Sequence, residues 1–239
     1  MAMDVSQVIP ELFINKAIFV TLLIIIVPAI FGLLVAVLFS MFRVKKIIIL
    51  NQIAGLYVSF TRSVPSILQL FIVFYAFPVF FLLLGLDINN MSAEIAAIVG
   101  LTFYHSGYVA EVIRPAYLAV EKGQHEAADS LGYSRFQKFF RIILPQVIPI
   151  ALPGWGNSLI YLIHNSALVM YIGAMDVMAN AHIVMERDFN QYQLKTYFIL
   201  ALFYCLLAFL AWLMVRFFEK KTEKYHLDTG IISVKKEVM

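Results

Sequence analysis

The chain has 239 residues, of which 62% are hydrophobic and only 14% charged, with a formal net charge of +3 and a single cysteine. Soluble domains carry about a quarter charged residues, so this composition excludes an ordinary globular domain and specifies an integral membrane protein. The lone Cys205 excludes a disulfide framework or a paired redox motif, and nothing in the small positive excess calls for nucleic acid.

A membrane span needs roughly 20 apolar residues, and five stretches qualify, giving an all-α fold. The first, 17–42, is too long and too poor in basic leader residues for a cleaved signal peptide. After the basic loop Arg43 to Lys46 come a second span at 63–86 and a third at 93–110. The third is short and is expected to reach past Glu94 or Glu111 into the headgroups. A mixed-charge loop at 111–141 follows. The uncharged run 142–175 is then too long for one straight helix across a core of roughly 30 Å at about 1.5 Å per residue. Pro145, Pro149 and Pro153 interrupt helical bonding, so the run is predicted to divide into a surface segment before Pro153 and a span at 154–175. A fifth span at 196–217 precedes a basic tail, and the whole of 1–239 reads as one membrane domain.

Five spans place the termini on opposite sides. Fourteen of the 18 lysines and arginines fall in the loop Arg43 to Lys46, the loop 111–141 and the tail, against three (Lys16, Arg187, Lys195) on the other side. That bias predicts an outside N-terminus and a cytoplasmic C-terminus. Lys220, Lys221, Glu223 and Lys224 read as a solvated anchor at anionic lipid. No G-x-x-x-x-G-K-[ST] phosphate loop occurs, so energy for uphill transport must enter through another subunit or an ion. Five spans cannot form two equal halves, and pseudo-symmetry is expected from pairing with a second chain.

Within the 111–141 loop, Glu121 to Leu131 is predicted to be a helix, with Ala127, Ala128 and Leu131 on one side and Gly132 as a left-handed C-cap. Ala127 and Ala128 leave a shallow face for another backbone, and Glu126 offers a carboxylate to a basic partner. Ser134 is placed to cap a second helix through Phe136, Phe139, Phe140 and Ile143, with Arg135, Lys138 and Arg141 facing phosphates. Periodicity alone leaves two readings open: a surface helix lying on lipid, or a docking segment for a soluble protein.

In the fourth span Asn157, Ser158, Tyr161, His164 and Asn165 interrupt an apolar run, and positions 157, 161, 164 and 165 share one helical stripe. Polar groups at membrane depth face the bundle or a water-filled cavity, and this set offers the donors and acceptors that an amino acid zwitterion needs. The competing explanation is helix-to-helix bonding. Gln69 and Tyr75 on the second span join the candidates. His105, His125, His182 and His226 lack metal-site spacing, so no metal is expected. Gly32 and Gly107 read as close-approach points between spans.

Several segments carry a family resemblance. Glu126-Ala127-Ala128, Gly132 and Ile143-Leu144-Pro145 resemble the EAA motif of ATP-binding-cassette importer permeases. Tyr57 to Pro65 with Gln69-Leu70 is similar to the R-G-T-P-x-x-x-Q-L segment of the polar amino acid permeases. Gly107 to Arg114 resembles A-Y-x-A-E-x-x-R, Gly123 to Ala128 resembles G-Q-x-E-A-A, and Pro145-Gln146 and Leu152-Pro153 with Asn157 continue the likeness. The span order is most similar to that of cystine-type permeases.

The resemblance implies the type I importer permease fold in a bacterial cytoplasmic (inner) membrane and transport of cystine or a similar polar amino acid by alternating access. It further implies two ATPase subunits holding ATP and Mg, a second permease chain, an extracytoplasmic amino acid-binding protein, and no cofactor in this chain. It assigns ATPase coupling to Gln124, Glu126, Ala127, Ala128, Gly132, Leu144 and Pro145. This chain departs from the pattern by carrying His164 where relatives have lysine, and Ser63 where they have glycine. Histidine titrates near neutrality and lysine does not, so a changed charge preference or pH response is expected there.

The alternative is an ion-coupled secondary transporter, which would work without an ATPase. The uncharged spans offer it no acidic coupling site. A membrane enzyme would need a convergent acid, base or metal set that the sequence lacks; adjacent Ser106 and His105 would point about 100° apart on a helix.

Overall fold

The computed structural model describes residues 12–13, 16–187, 189 and 192–222. Eight helical segments carry the fold. They are α1 (Ala17–Val44), α2 (Ile48–Ser63), α3 (Ser66–Leu83), α4 (Ala93–Leu118), α5 (Lys122–Ser130), α6 (Arg135–Ile172), α7 (Val177–Arg187) and α8 (Gln193–Thr222). Five of them, α1, α3, α4, α6 and α8, are long and apolar enough to cross a membrane. Glu223, Lys224 and His226 lie outside the described residues.

Small residues decide how the spans meet. Pro28, Gly32, Ala36 and Ser40 recur every four residues on the buried face of α1. In lipid, where apolar association has no water to escape, such a stripe lets two backbones come close enough for dispersion and hydrogen bonds to hold them. The partner is α4: Gly32 lies against His105, and Ser40 Oγ donates to Ala110 O at 2.9 Å. These pairings advance together along both chains, so α1 and α4 run parallel. Gly107 on α4 meets α2 so tightly that a Cβ there would lie 1.8 Å from Thr61 Oγ1. Both glycines therefore act as the close-approach points expected of them. Helix α6 runs the other way, with Gly154 against Val112 of α4, and α8 returns with Val215 against Gly156.

Two sequence expectations need correction. The fourth run does not divide at its prolines: Arg135–Ile172 is one continuous helical rod. Pro145 follows a wide turn at Phe139–Ile143, where Leu144 N–H reaches back five residues to Phe139 O. Pro145, Pro149 and Pro153 recur every four residues, so their unpaired carbonyls fall on one face while the other faces keep the helix intact. The second span begins at Ser66, not 63, because Val64-Pro65 turns the chain after the separate helix α2. The third does reach past Glu111, as expected, and continues to Leu118; the carboxylate is accommodated because Arg43 and Arg114 both pair with it. Finally, α7 was not anticipated at all, since its 11 residues mix small, polar and apolar types without an apolar run.

The Val64-Pro65 turn is held by Gln69, which is buried and whose Nε2 donates to Thr61 O at 2.8 Å and Val64 O at 2.7 Å. At the opposite end of the bundle Asp176 fixes α7. Its carboxylate accepts from Ala179 N at 2.8 Å and from Tyr204 Oη of α8 at 3.3 Å, while Val177 N donates to Thr21 Oγ1 of α1 at 3.0 Å.

Replacing Gly107 by Ala is expected to cost about 1–3 kcal/mol, the usual range for overpacking a tight contact. Replacing Gly55, whose Cβ would meet nothing within 4 Å, should be neutral or gain up to about 1 kcal/mol of helix propensity. Thermal denaturation of the detergent-solubilised chain measures both.

Candidate functional site

Two regions bear function-like chemistry, and α6 connects them. The first is α5 with the start of α6. Glu121 is the N-cap of α5 and Leu131 its C-cap, close to the predicted 121–131. Gly132 has φ +75°, Gly132 N donates to Asp129 O at 3.0 Å, and Tyr133 N donates to Ala128 O at 3.1 Å. This is a Schellman closure, in which a glycine adopts the left-handed conformation and the last carbonyls are satisfied. Two residues later Ser134 Oγ accepts from Gln137 N while Gln137 Oε1 accepts from Ser134 N, a complete capping box that starts α6.

Helix α5 is tied to α6 by its own polar side chains. Lys138 Nζ donates to Asp129 Oδ1 at 2.6 Å, and Gln146 Nε2 donates to Gln124 Oε1 at 3.4 Å and to Ile142 O at 2.8 Å. Ala128 is buried within the chain, whereas Glu126, Ala127 and Leu131 are exposed. Ala127 and Ala128 therefore do not form one contact face as expected: adjacent helical residues diverge by about 100°, and one alanine seats α5 while the other faces outward. Leu144 and Pro145 are half-buried on α6 beside this junction.

The second region is the polar stripe of α6. Asn157, Tyr161 and His164 lie exposed on one face, and Asn165 forms its inner edge. Asn165 is the most connected of the set. Its Nδ2 donates to Tyr104 Oη at 3.0 Å and to Tyr161 O at 2.7 Å, and its Oδ1 accepts from Ser66 Oγ at the start of α3. Three spans thus meet at one amide. The Tyr104 and Tyr108 rings lie tilted against each other beside it, with centroids 4.9 Å apart. Asn157 lies about two turns away in a cleft of about 210 Å³ that it shares with Trp212, Arg216 and Glu219 of α8.

Two predicted pathway candidates point elsewhere. Ser158 is buried and donates to Gly154 O at 3.0 Å, and Gln69 is occupied by the α2–α3 turn. Tyr75 is exposed on α3. Ser66 and Tyr108 were not singled out from sequence: Ser66 is 99 residues from Asn165, and no spacing rule connects them. Tyr104 serves as a bond between α4 and α6. Asp176 was missed because it falls just after a span. His105 is buried against Gly32, and its ring nitrogens have no hydrogen-bond partner among the described residues.

Comparison with known proteins adds four findings. The profile described as "Binding-protein-dependent transport system inner membrane component" matches residues 29–224. The L-cystine transport system permease protein TcyL of Bacillus subtilis is 35% identical over 215 residues, 90% of this chain and 88% of that protein. The "Probable amino-acid ABC transporter permease protein YckA" of the same organism is 37% identical over 213 residues, 89% of this chain and 90% of that one. Among solved structures, one described as an amino acid ABC transporter with histidines superposes with a TM-score of 0.76 at 27% identity, covering 92% of this chain and 100% of that chain.

Substituting Val for Gly132 is expected to cost about 1–2 kcal/mol, because a β-branched residue resists the left-handed conformation. Faster hydrogen exchange confined to 122–133 would register it. Asp176 gives a pH-dependent expectation. Burial pushes its carboxyl up to about 6 from an ordinary 3.8, against the opposing hydrogen bonds from Ala179 and Tyr204. Between those values the folded state holds a proton that the unfolded chain has released. Stability therefore falls as pH rises through that window and is flat above about 6. Protection of α7 amides, corrected for intrinsic exchange, should follow this profile, and Asp176→Asn should abolish it.

Proposed function

Because this chain belongs to the family of binding-protein-dependent transport system inner membrane components, we propose that it carries cystine or a similar polar amino acid across the cytoplasmic membrane, driven through α5. The family-level part is not in question: the chain is the membrane-spanning permease subunit of an ATP-driven amino acid importer, and separate ATPase subunits hydrolyse ATP. The ion-coupled alternative is not favoured.

The observation that carries the mechanistic reading is the construction of α5. A nine-residue helix closed by a Schellman turn is fastened along one side to α6 by Ala128, Asp129 and Gln124, while Glu126, Ala127 and Leu131 project outward. A small exposed alanine beside an exposed leucine and a free carboxylate suits a cleft on a soluble protein better than a lipid surface, where an outward glutamate is costly. Movement of an ATPase against that outer face would pass into α6, and along α6 to Asn165. Two ATPase subunits holding ATP and Mg, a second permease chain and an extracytoplasmic binding protein complete the working complex. In this reading the positive-rich loops lie in the cytoplasm.

The solute is taken by the stripe Asn157, Tyr161, His164 and Asn165, with Tyr104 and Ser66 added as partners of Asn165. The TcyL match supports the cystine class, and His164 in place of lysine gives this chain its own charge character at that depth.

Two substitutions test the division of labour in proteoliposomes containing the permease, its ATPase and its binding protein. Glu126→Lys should leave the chain inserted but lower ATPase association by about tenfold or more, equivalent to about 1.4 kcal/mol. Asn165→Ala should preserve association and alter uptake rates between cystine and other polar amino acids. Full substrate-stimulated ATP hydrolysis and uptake with Glu126→Lys would remove α5 from coupling; undiminished uptake without the ATPase would favour an ion-coupled carrier.

A further inference from the structure

On the α5 side of Asn165 the protein carries a charged cleft that neither α5 nor the polar stripe uses. Its volume is about 370 Å³, and Arg43, Val58, Ser59, Arg62, Ser63 and Glu111 line it. Both oxygens of Glu111 are already engaged: Arg43 Nη1 donates to Oε2, and Arg114 Nη2 donates to Oε1 at 2.6 Å. Two guanidiniums thus share one carboxylate and leave a surplus positive charge. Arg62 adds a second, since it is exposed and forms no ion pair or hydrogen bond among the described residues. The hydroxyls of Ser59 and Ser63 stand beside it as further donors. A guanidinium is a planar fork of donors matched to an oxyanion with two oxygens, and a cleft with surplus guanidinium charge selects such a group.

Position distinguishes which oxyanion. Tyr104, Tyr108 and Glu111 follow i, i+4, i+7 on one face of α4, so the residue bonded to Asn165 and the carboxylate residue of the cleft are offset by about 10 Å of helical rise along that face. On the other side, the short turn between α2 and α3 carries Arg62 and Ser63 of the cleft at its beginning and Ser66, bonded to Asn165, at its end. Stripe and cleft are therefore consecutive stations. A zwitterion moving from Asn165 toward α5 meets the cleft next, and its carboxylate is the group the cleft selects.

We propose that the Arg43–Ser59–Arg62–Ser63 cleft is an exit subsite that holds the α-carboxylate of the transported amino acid on the α5 side of the membrane. This rests on the reading of the chain as an amino acid permease. The cleft is distinct from the stripe, and Arg62 is its principal ligand because Arg43 is partly committed to Glu111.

The test uses the complete permease–ATPase complex in lipid nanodiscs, without binding protein or nucleotide. L-cystine, L-glutamine, their α-carboxamides and inorganic phosphate are titrated in turn and followed by calorimetry. At least one of the two amino acids should bind, its carboxamide about tenfold or more weaker. Arg62→Gln should weaken amino acid binding by about tenfold, and Arg62→Lys by less, because the charge remains and only the fork is lost. Absence of binding by the unsubstituted complex, equal binding by the Arg62→Gln complex, equal binding of the carboxamide, or tighter binding of phosphate than of either amino acid would each overturn the proposal. ATP-driven uptake by the same complexes, reconstituted in proteoliposomes with the binding protein, keeps the two readings apart. No uptake of any amino acid sinks the transporter reading, whereas uptake accompanied by Arg62-independent binding sinks only the cleft.

Discussion

Close backbone approach around α4 is the constraint on which the rest of this structure depends. Between apolar helices in lipid there is no hydrophobic drive toward association, so stability comes from dispersion and hydrogen bonds that operate only at short range. Gly32, Ala36 and Ser40 of α1 give α4 that proximity on one side, and Gly107 gives it to Thr61 of α2 on another. Polar bonds then become possible that a wider spacing would forbid, including Ser40 to Ala110 and Tyr57 to Phe103. With α4 clamped, Tyr104 and Glu111 are held at fixed depths, and the chemistry of both the stripe and the cleft follows from those depths.

Continuity of α6 is the second determinant. Its 38 residues span about 57 Å at the usual helical rise, and one end holds α5 while Asn165 lies near the other. A break at Pro153 would have separated these functions into two bodies. The prolines instead share a single face, so each weakens the rod locally without severing it. The wide turn at Phe139–Ile143 lies just where α5 packs, which places the most adaptable part of the rod next to the junction that an ATPase would push.

Much of the site was legible before any coordinates. The glycine closure at Gly132 and the Ser134 cap follow from local backbone chemistry, and both occur as expected. Recurrence at i, i+4, i+7 and i+8 correctly placed Asn157, Tyr161, His164 and Asn165 around one face. It could not tell that Ser158 turns inward to bond its own helix, because one residue along a helix is only about 100° away and burial by other helices leaves no mark on local spacing. Gln69 misled for a similar reason: a buried amide looks the same in sequence whether it meets a solute or the carbonyls of Thr61 and Val64.

By itself the sequence determined that this chain has five membrane spans and which loop carries the short capped helix α5. These properties come from runs, caps and charges that act within a few residues of one another. Only the tertiary structure decided that Arg43 would pair with Glu111, that α6 would remain whole through three prolines, and that Ser66 and Tyr104 would both meet Asn165. Each of those outcomes depends on partners 61 to 99 residues away or on whether neighbouring helices supply what a proline removes. Local pattern carries no information about such long-range contacts; the small residues along α1 and α4 make them possible by bringing distant backbones together.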